Sequence, residues 1–132
     1  MNYSEKQERE LLVKIIKENN IDVPWNHQFK LGDELYTCPP TQYNNTSANC
    51  PNKWNRIINL VGEDAFKEKK ILDVGCSEGY FAFEAANFAN EVIGVDLDPI
   101  RIHRANLIKK LKKNVNCKFV CSDSSDLIES KF

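Results

Sequence analysis

The stretch "ILDVGCSEGYFAFEAA", residues 71–86, decides the fold of this 132-residue chain. It begins with an apolar run typical of a buried strand, passes through two glycines, and ends in apolar residues at helical spacing. Asp73 stands in the strand, and the turn spans Gly75 to Gly79. A strand, a tight glycine turn and a helix in this order predict a site for a nucleotide-like ligand at the turn.

Two further segments extend this pattern towards the C-terminus. "EVIGVDLD", residues 91–98, and "CKFVCSD", residues 117–123, are predicted strands, and a basic helical stretch lies between them. Asp98 and Pro99 are a typical cap and first residue of that helix. Strands that alternate with helices favour crossover connections and parallel pairing. The predicted fold class is α/β, a Rossmann-like doubly wound parallel sheet of which the N-terminal half is visible.

The residues before the glycine turn predict a helix, an irregular segment and a second helix. Ser4 and Gln7 form a capping-box pattern that opens a helix ending near Asn19. The irregular stretch, residues 21–51, holds one or two short strands and enough aromatic surface to fold over the domain or a ligand. We therefore divide the chain into an N-terminal extension, residues 1–52, and a partial cofactor-binding domain, residues 53–132. The aromatic and imidazole side chains of the irregular stretch are Trp25, His27, Phe29, Tyr36 and Tyr43.

Composition limits the function classes. Hydrophobic residues make up 42% and charged residues 28%, with a net charge of −1, which neither recruits nor excludes nucleic acid. The sequence shows no apolar run of membrane-spanning length and no signal-peptide pattern, so we expect a cytoplasmic protein with no membrane partner. Five cysteines without a Cys-x-x-Cys pair predict neither a full disulfide framework nor a metal site.

Three acids are expected at the carboxyl ends of the strands, where parallel sheets bind ligands. Asp73 lies in the first strand, Asp96 closes the second, and Asp123 closes the third. Asp96 follows the glycines by about 20 residues, the spacing at which a carboxylate meets ribose hydroxyls. These positions predict one pocket lined by carboxylates beside Gly75.

The glycine turn discriminates between candidate cofactors. A dinucleotide fingerprint, G-x-G-x-x-G, requires glycines where Ser77 and Tyr80 stand. Asp73 would repel a pyrophosphate near the helix N-terminus, whereas it would attract a cationic amine. S-adenosylmethionine carries an amine and no phosphate, so we favour it over NAD(P) and its oxidoreductases.

The motifs also resemble a known family. "ILDVGCSEG", "VIGVDLDP" and "FVCSD" are similar to the first three motifs of class I S-adenosylmethionine-dependent methyltransferases. The resemblance implies that Asp73 orients the amine, Asp96 holds the ribose, and Leu97 packs on adenine. It implies that Asp123 meets the exocyclic amine of adenine. The cofactor-binding residues it implies are Asp73, Gly75, Cys76, Ser77, Gly79, Asp96, Leu97, Asp123 and Ser124.

The upstream sequence resembles a narrower group. "PWNHQFKLGDELYTCPP", "KWNRI" and "GCSEGYFAFEAA" are similar to proteins related to the bacterial tRNA wobble-uridine (5-oxyacetyl/methoxyuridine) methyltransferases. This resemblance implies tRNA as the methyl acceptor, with a small molecule as the other possibility. Some members of the group use a carboxylated cofactor, so methyl and carboxymethyl transfer both stay open.

Several residues have a structural interpretation that we weigh above a functional one. Arg101, Arg104 and the lysines of the basic helix could contact RNA phosphates, but a solvated helix face is favoured. His27 is expected to be structural or exposed, and His103 to lie at the surface. Trp25 and Tyr36 could stack on a base, yet covering the core is favoured.

Only three strands are visible, and the last predicted helix has just begun where the sequence ends. We interpret the chain as a fragment of a longer enzyme, with its catalytic residues unknown. The first strand is predicted to have an unpaired apolar edge through which the chain could associate. The alternative function is a non-catalytic cofactor-binding module, or a subunit completed by another chain.

Overall fold

The computed structural model describes residues 4–19, 23–38, 49–113 and 116–129. Tyr43 and the asparagine-rich stretch around it lie outside the described residues. A short 3-10 turn, Glu63–Ala65, precedes the first strand. The helices and strands in chain order are α1 Glu5–Glu18, α2 Cys50–Val61, β1 Lys70–Val74, α3 Tyr80–Ala86, β2 Glu91–Asp96, α4 Pro99–Lys112, β3 Cys117–Cys121 and α5 Ser124–Glu129.

The three strands form a parallel sheet in the order β1-β2-β3. The register pairs Ile71 with Val92, and Val92 with Cys117, so these side chains share the sheet face that packs in the core with α3 and α4. Within the described residues β1 pairs with β2 alone, which leaves its other edge open. The predicted Rossmann-like parallel sheet is confirmed.

The N-terminal helix begins as the sequence predicts. The side chain of Ser4 accepts from the Gln7 amide, and the Gln7 side chain accepts from the Ser4 amide, which completes the capping box. The helix ends at Glu18, with Asn19 as its C-cap residue, and packs on α4. Only Ile16 of its apolar positions is fully buried, while Leu11 stays half-exposed.

Two helix predictions needed correction. The helical spacing of Phe81, Ala85, Phe88 and Ala89 predicts a helix through Ala89, but α3 ends at Ala86 and the last two of these residues follow it. The amides of Phe88 and Ala89 both donate to Ala85, so the chain tightens there instead of continuing the helix. In α2, Trp54, Ile57, Ile58 and Val61 fall at helical spacing and predict one apolar stripe, of which Trp54 is buried but Val61 is exposed. Periodicity identified the helix but not how much of its apolar stripe the domain covers.

Residues 23–38, which we call the docking segment, pack onto the domain. An antiparallel bridge joins Lys30 to Tyr36, and the Thr37 hydroxyl both donates to the His27 carbonyl and accepts from the Phe29 amide. Trp25, Phe29 and Leu31 are buried in the same core as the helices and strands. The expectation that this part of the chain folds over the domain is confirmed.

No helix among the described residues is long and apolar enough to span a membrane.

Candidate functional site

The glycine turn joins β1 to α3 through three residues in the left-handed region. The φ angles are 70° at Gly75, 51° at Ser77 and 91° at Gly79. The amide of Cys76 donates to the Val95 carbonyl over 2.9 Å, which fixes the turn against β2. The turn is thus held tightly above the carboxyl ends of the strands.

The two glycines of the turn have different surroundings. A Cβ atom at Gly79 would lie 2.7 Å from the Phe119 ring, so packing inside the domain demands glycine there. A Cβ atom at Gly75 would meet no heavy atom within 4 Å. Gly75 therefore faces open space, which lets a ligand approach the backbone closely.

Asp96 links the turn to the start of α4. Its Oδ2 atom accepts from the Ser77 amide over 2.9 Å, and its Oδ1 atom accepts from the Asp98 amide over 2.9 Å. An ionised carboxylate has about four acceptor positions, so both oxygens keep capacity for further donors. Asp98 itself caps α4 by accepting from the Ile100 amide, as predicted.

A cavity of about 180 Å³ lies beside the turn at the carboxyl edge of the sheet. Among the described residues its lining has two carboxylates and neither lysine nor arginine. Leu97 is 71% exposed, so a large apolar side chain stands uncovered at this rim. The lining residues are Val74, Gly75, Val95, Asp96, Leu97, Ser122, Asp123 and Ser124.

The cavity brings together five of the nine predicted site residues: Gly75, Asp96, Leu97, Asp123 and Ser124. Asp123 is exposed, and its carboxylate accepts from the amide and the hydroxyl of Ser125, both at 2.9 Å. These two hydrogen bonds lower the pKa of Asp123. Asp123 therefore caps α5 while it borders the cavity.

The other four predicted residues do not line the cavity. Cys76 is buried, and its burial raises the pKa of its thiol far above the ordinary range, which makes it no nucleophile. Ser77 is half-buried, and Gly79 packs on Phe119. Asp73 pairs with Gly94 in the sheet register and lies beneath the turn rather than in the cavity.

Asp73 has an unusual environment. Its Oδ2 atom is buried without a hydrogen-bond partner in the described part of the chain. Burial raises the pKa of Asp73 to about 6; a hydrogen bond from the Ala82 amide opposes this rise, and the nearby Asp96 carboxylate adds to it. A buried carboxylate with a free oxygen next to the turn suits a cationic partner.

Residues 65–132 match a family model described as a methyltransferase domain. The chain belongs to this methyltransferase family. S-adenosylmethionine, the cofactor inferred from the glycine turn, is also the cofactor that this methyltransferase domain indicates. No curated protein matches the chain.

Solved structures support the methyltransferase fold. The N-terminal domain of EvdMO1, crystallised with SAH bound, superposes with a TM-score of 0.68 at 15% identity, over 89% of this chain and 47% of that one. The bifunctional kinase-methyltransferase WbdD gives 0.60 at 17% identity, over 92% and 25%. Precorrin 8W decarboxylase from Methanobacterium thermoautotrophicum gives 0.54 at 20% identity, over 61% and 42%. The chain spans less than half the length of each of these structures.

The methyltransferase turn also uses residues that the sequence did not single out. Glu78 is completely buried and accepts from the amides of Asn26 and His27 in the docking segment. His27 accepts through Nδ1 from the Tyr80 amide at the start of α3, which confirms its structural role. Burial lowers the pKa of His27, although the Glu78 charge opposes that shift. The signal in the sequence that could have pointed to Glu78 is the presence of an acidic residue inside a glycine turn.

The prediction of a solvated α4 face was wrong for Arg104. This side chain is 1% exposed, stacks on Trp25 at 4.8 Å, and donates to the carbonyls of Asn19, Val23 and Pro24. His103 next to it is exposed, as expected. Trp25 packs in the core, which is the interpretation we favoured over base stacking.

A larger groove lies elsewhere on the domain. It has a volume of about 580 Å³ and runs between α1 and α4, floored by Leu11, Leu12 and Ile15 and rimmed by charged residues. It lacks the glycine backbone and the strand-end carboxylates that a nucleoside would use, so we place the candidate site at the smaller cavity.

Proposed function

We propose that this protein is an S-adenosylmethionine-dependent methyltransferase that binds its cofactor in the cavity beside Gly75. The observation that carries the proposal is the chemistry of that cavity. It combines an open glycine backbone, an exposed leucine and two carboxylates, and none of the described residues that line it is cationic. A phosphate-bearing dinucleotide would meet like charge here, whereas an adenosyl ligand without phosphate would not.

Each lining residue has a role in this proposal. Asp96 accepts from the ribose hydroxyls with the acceptor positions that its two amide bonds leave free. Leu97 packs on the adenine ring, and Asp123 with Ser124 meets the exocyclic amine. The backbone at Gly75 lies against the methionine part, and the nearby carboxylate of Asp73 orients the amine, directly or through a water.

The cofactor supplies an activated methyl group on a sulfonium, and the protein contributes position. Residues of the turn and the strand ends hold the ligand rigidly, so that a bound acceptor atom meets the methyl in line. We assign no catalytic residue among the described side chains.

We also propose an oxygen or nitrogen of tRNA as the acceptor, with a small molecule as the other possibility. The resemblance of the docking segment and α3 to the wobble-uridine group supports this choice. Incubation of the protein with bulk tRNA and labelled cofactor, followed by nucleoside mass spectrometry, tests it. Label in a modified uridine would support the assignment, and label confined to a small-molecule acceptor would overturn it. Binding without any turnover would favour the non-catalytic module.

Calorimetry with S-adenosylhomocysteine tests the cofactor site. We expect the natural sequence to bind it, and Asp96→Asn to bind at least about tenfold more weakly, because a charged hydrogen bond to each hydroxyl is weakened. Asp64→Asn removes a carboxylate that is 91% exposed on the 3-10 turn and serves as the matched control. Failure of the natural protein to bind the ligand, or tighter binding of NAD, would remove the basis of the proposal.

A further inference from the structure

We propose that Glu78 is a positioning residue that makes cofactor affinity depend on the docking segment, residues 23–38. The inference rests on the proposed function, because the turn that Glu78 belongs to is the proposed cofactor site. No residue of the docking segment lines the cavity, so this segment acts on a ligand there only through neighbouring residues, and the turn is the route that Glu78 offers.

Both oxygens of Glu78 are engaged. Oε1 accepts from the amides of Asn26 and His27 and, over 3.3 Å, from the guanidinium of Arg101. Oε2 accepts from the hydroxyl of Ser77. A buried ion pair seldom stabilises a fold more than apolar packing would, so a fully buried glutamate is best explained by the geometry it imposes.

Ser77, which stands where the dinucleotide fingerprint has its second glycine, belongs to the same network. Ser77 donates its hydroxyl to Glu78 and accepts from the Asn26 side chain over 3.2 Å, while its amide orients Asp96. Its φ of 51° is a conformation that glycine would adopt without strain. The hydroxyl therefore offsets a local cost by tying the turn to the docking segment.

The docking segment has internal hydrogen bonds and aromatic contacts with α3, so we expect it to dock or detach as one unit. The Thr37 hydroxyl and the Lys30–Tyr36 bridge close it on itself. Phe29 lies 5.9 Å from the rings of Tyr80 and Phe83 in α3. Release of its first residues from Glu78 would loosen the whole contact with the turn and with α3.

Coupling between two sites is reciprocal, and this gives the proposal a signature. If the docking segment fixes the turn for the ligand, then the ligand has to strengthen the docking of the segment. S-adenosylhomocysteine should therefore slow amide hydrogen exchange across residues 23–38, although it touches none of them.

Hydrogen exchange and calorimetry on the full chain test this with Glu78→Gln. Without ligand we expect exchange at Asn26, His27 and Tyr80 to become at least about tenfold faster, since their acceptors are weakened or displaced. S-adenosylhomocysteine should bind about tenfold more weakly. Glu91→Gln is the matched control, because Glu91 is also an ion-paired acid, bridging Lys70 and Lys118 at the opposite ends of the strands.

A second variant keeps the test decisive if Glu78→Gln fails to fold. Ser77→Gly removes the bridging hydroxyl while it relieves the backbone, so we expect faster exchange at Asn26 and weaker binding with no loss of stability. If Ser77 had no role in the coupling, Ser77→Gly would raise stability and leave both exchange at Asn26 and ligand binding unchanged. That result would overturn the proposal. So would ligand binding that leaves exchange across residues 23–38 unchanged. If the natural protein binds no ligand, the proposed function fails, and the ligand-free exchange data decide the role of Glu78 separately.

Discussion

Replacement of Asp73 by asparagine should change how the stability of the domain depends on pH. The carboxyl group lies beneath the glycine turn with one oxygen unpaired among the described residues, and its burial raises the pKa to about 6. In the unfolded chain the same group has the ordinary value of 3.8. Between these two values the folded protein holds a proton that the unfolded chain releases, so stability falls as pH rises through this range.

The magnitude follows from the difference between the two pKa values. Each pKa unit corresponds to about 1.4 kcal/mol, so about 3 kcal/mol is lost once both states are ionised. Most of that loss, about 2 to 3 kcal/mol, falls between about pH 4 and about pH 7.5. Asparagine has no titrating group, so the free energy of unfolding of Asp73→Asn lacks this pH-dependent part. Any change in stability that the asparagine amide itself causes is the same at every pH.

Urea unfolding, followed through the fluorescence of the buried Trp25 and Trp54, measures the free energy of unfolding across this range. The decisive quantity is the natural protein minus Asp73→Asn at each pH, because contributions shared by both proteins cancel. Among these is His27, whose lowered pKa makes stability fall in the opposite direction, as pH drops below 6.5. Asp64→Asn, which removes an exposed carboxylate, is measured in parallel as the control for the substitution itself.

A difference that stays within about 0.5 kcal/mol from about pH 4 to about pH 7.5 would refute the reasoning, as would one of opposite sign. Saturating S-adenosylhomocysteine adds a second check. A cationic amine beside Asp73 would lower its pKa in the complex, so the pH-dependent loss should shrink when the ligand is bound.

Three further substitutions test the turn and the buried arginine. Gly79→Ala should cost about 2 to 4 kcal/mol of stability in urea unfolding, because its Cβ would strike the Phe119 ring at a φ of 91°. Gly75→Ala should cost only about 1 to 2 kcal/mol for the same strain, yet its methyl group enters the cavity and should weaken S-adenosylhomocysteine binding in calorimetry. Equal binding by Gly75→Ala and the natural protein would contradict an approach to that backbone. Arg104→Met should lose about 3 kcal/mol, since three main-chain carbonyls lose a charged donor and Trp25 loses the guanidinium stacked on it, whereas the exposed neighbour substitution His103→Gln should change little.

The parallel sheet and the glycine turn could be predicted because local signals encode them. Each strand is a short apolar run with an acid near its carboxyl end: Asp73 within β1, Asp96 at the end of β2 and Asp123 two residues after β3. Helix starts are marked by Ser4 and Asp98, whose side chains accept from amides of the first turn, and by Pro99 at the first helical position. The approach of Gly75, Asp96 and Asp123 to one cavity follows from parallel strands ending at one edge.

The second layer of the site could not be predicted because it joins residues distant in the sequence. Glu78 meets Asn26 across 52 positions, and Arg104 meets Asn19 across 85. A charged residue on a basic helix usually faces solvent, so nothing in the local pattern distinguishes Arg104 from Lys110. Asp73 shows the same limit, since the sequence located the acid but not its burial beneath the turn.

The contact between Arg104 and the chain ahead of it has a consequence for protein engineering. The guanidinium donates hydrogen bonds to the main-chain carbonyls at positions 19, 23 and 24, and every amino acid has such a carbonyl. Most substitutions at those positions would leave these hydrogen bonds intact, but an insertion or deletion would move the carbonyls out of reach of the guanidinium. Apart from Asn19, whose side-chain Oδ1 atom also accepts from Arg104, the contact constrains the number of residues between α1 and Trp25 more than their identity, so engineered variants should keep that number.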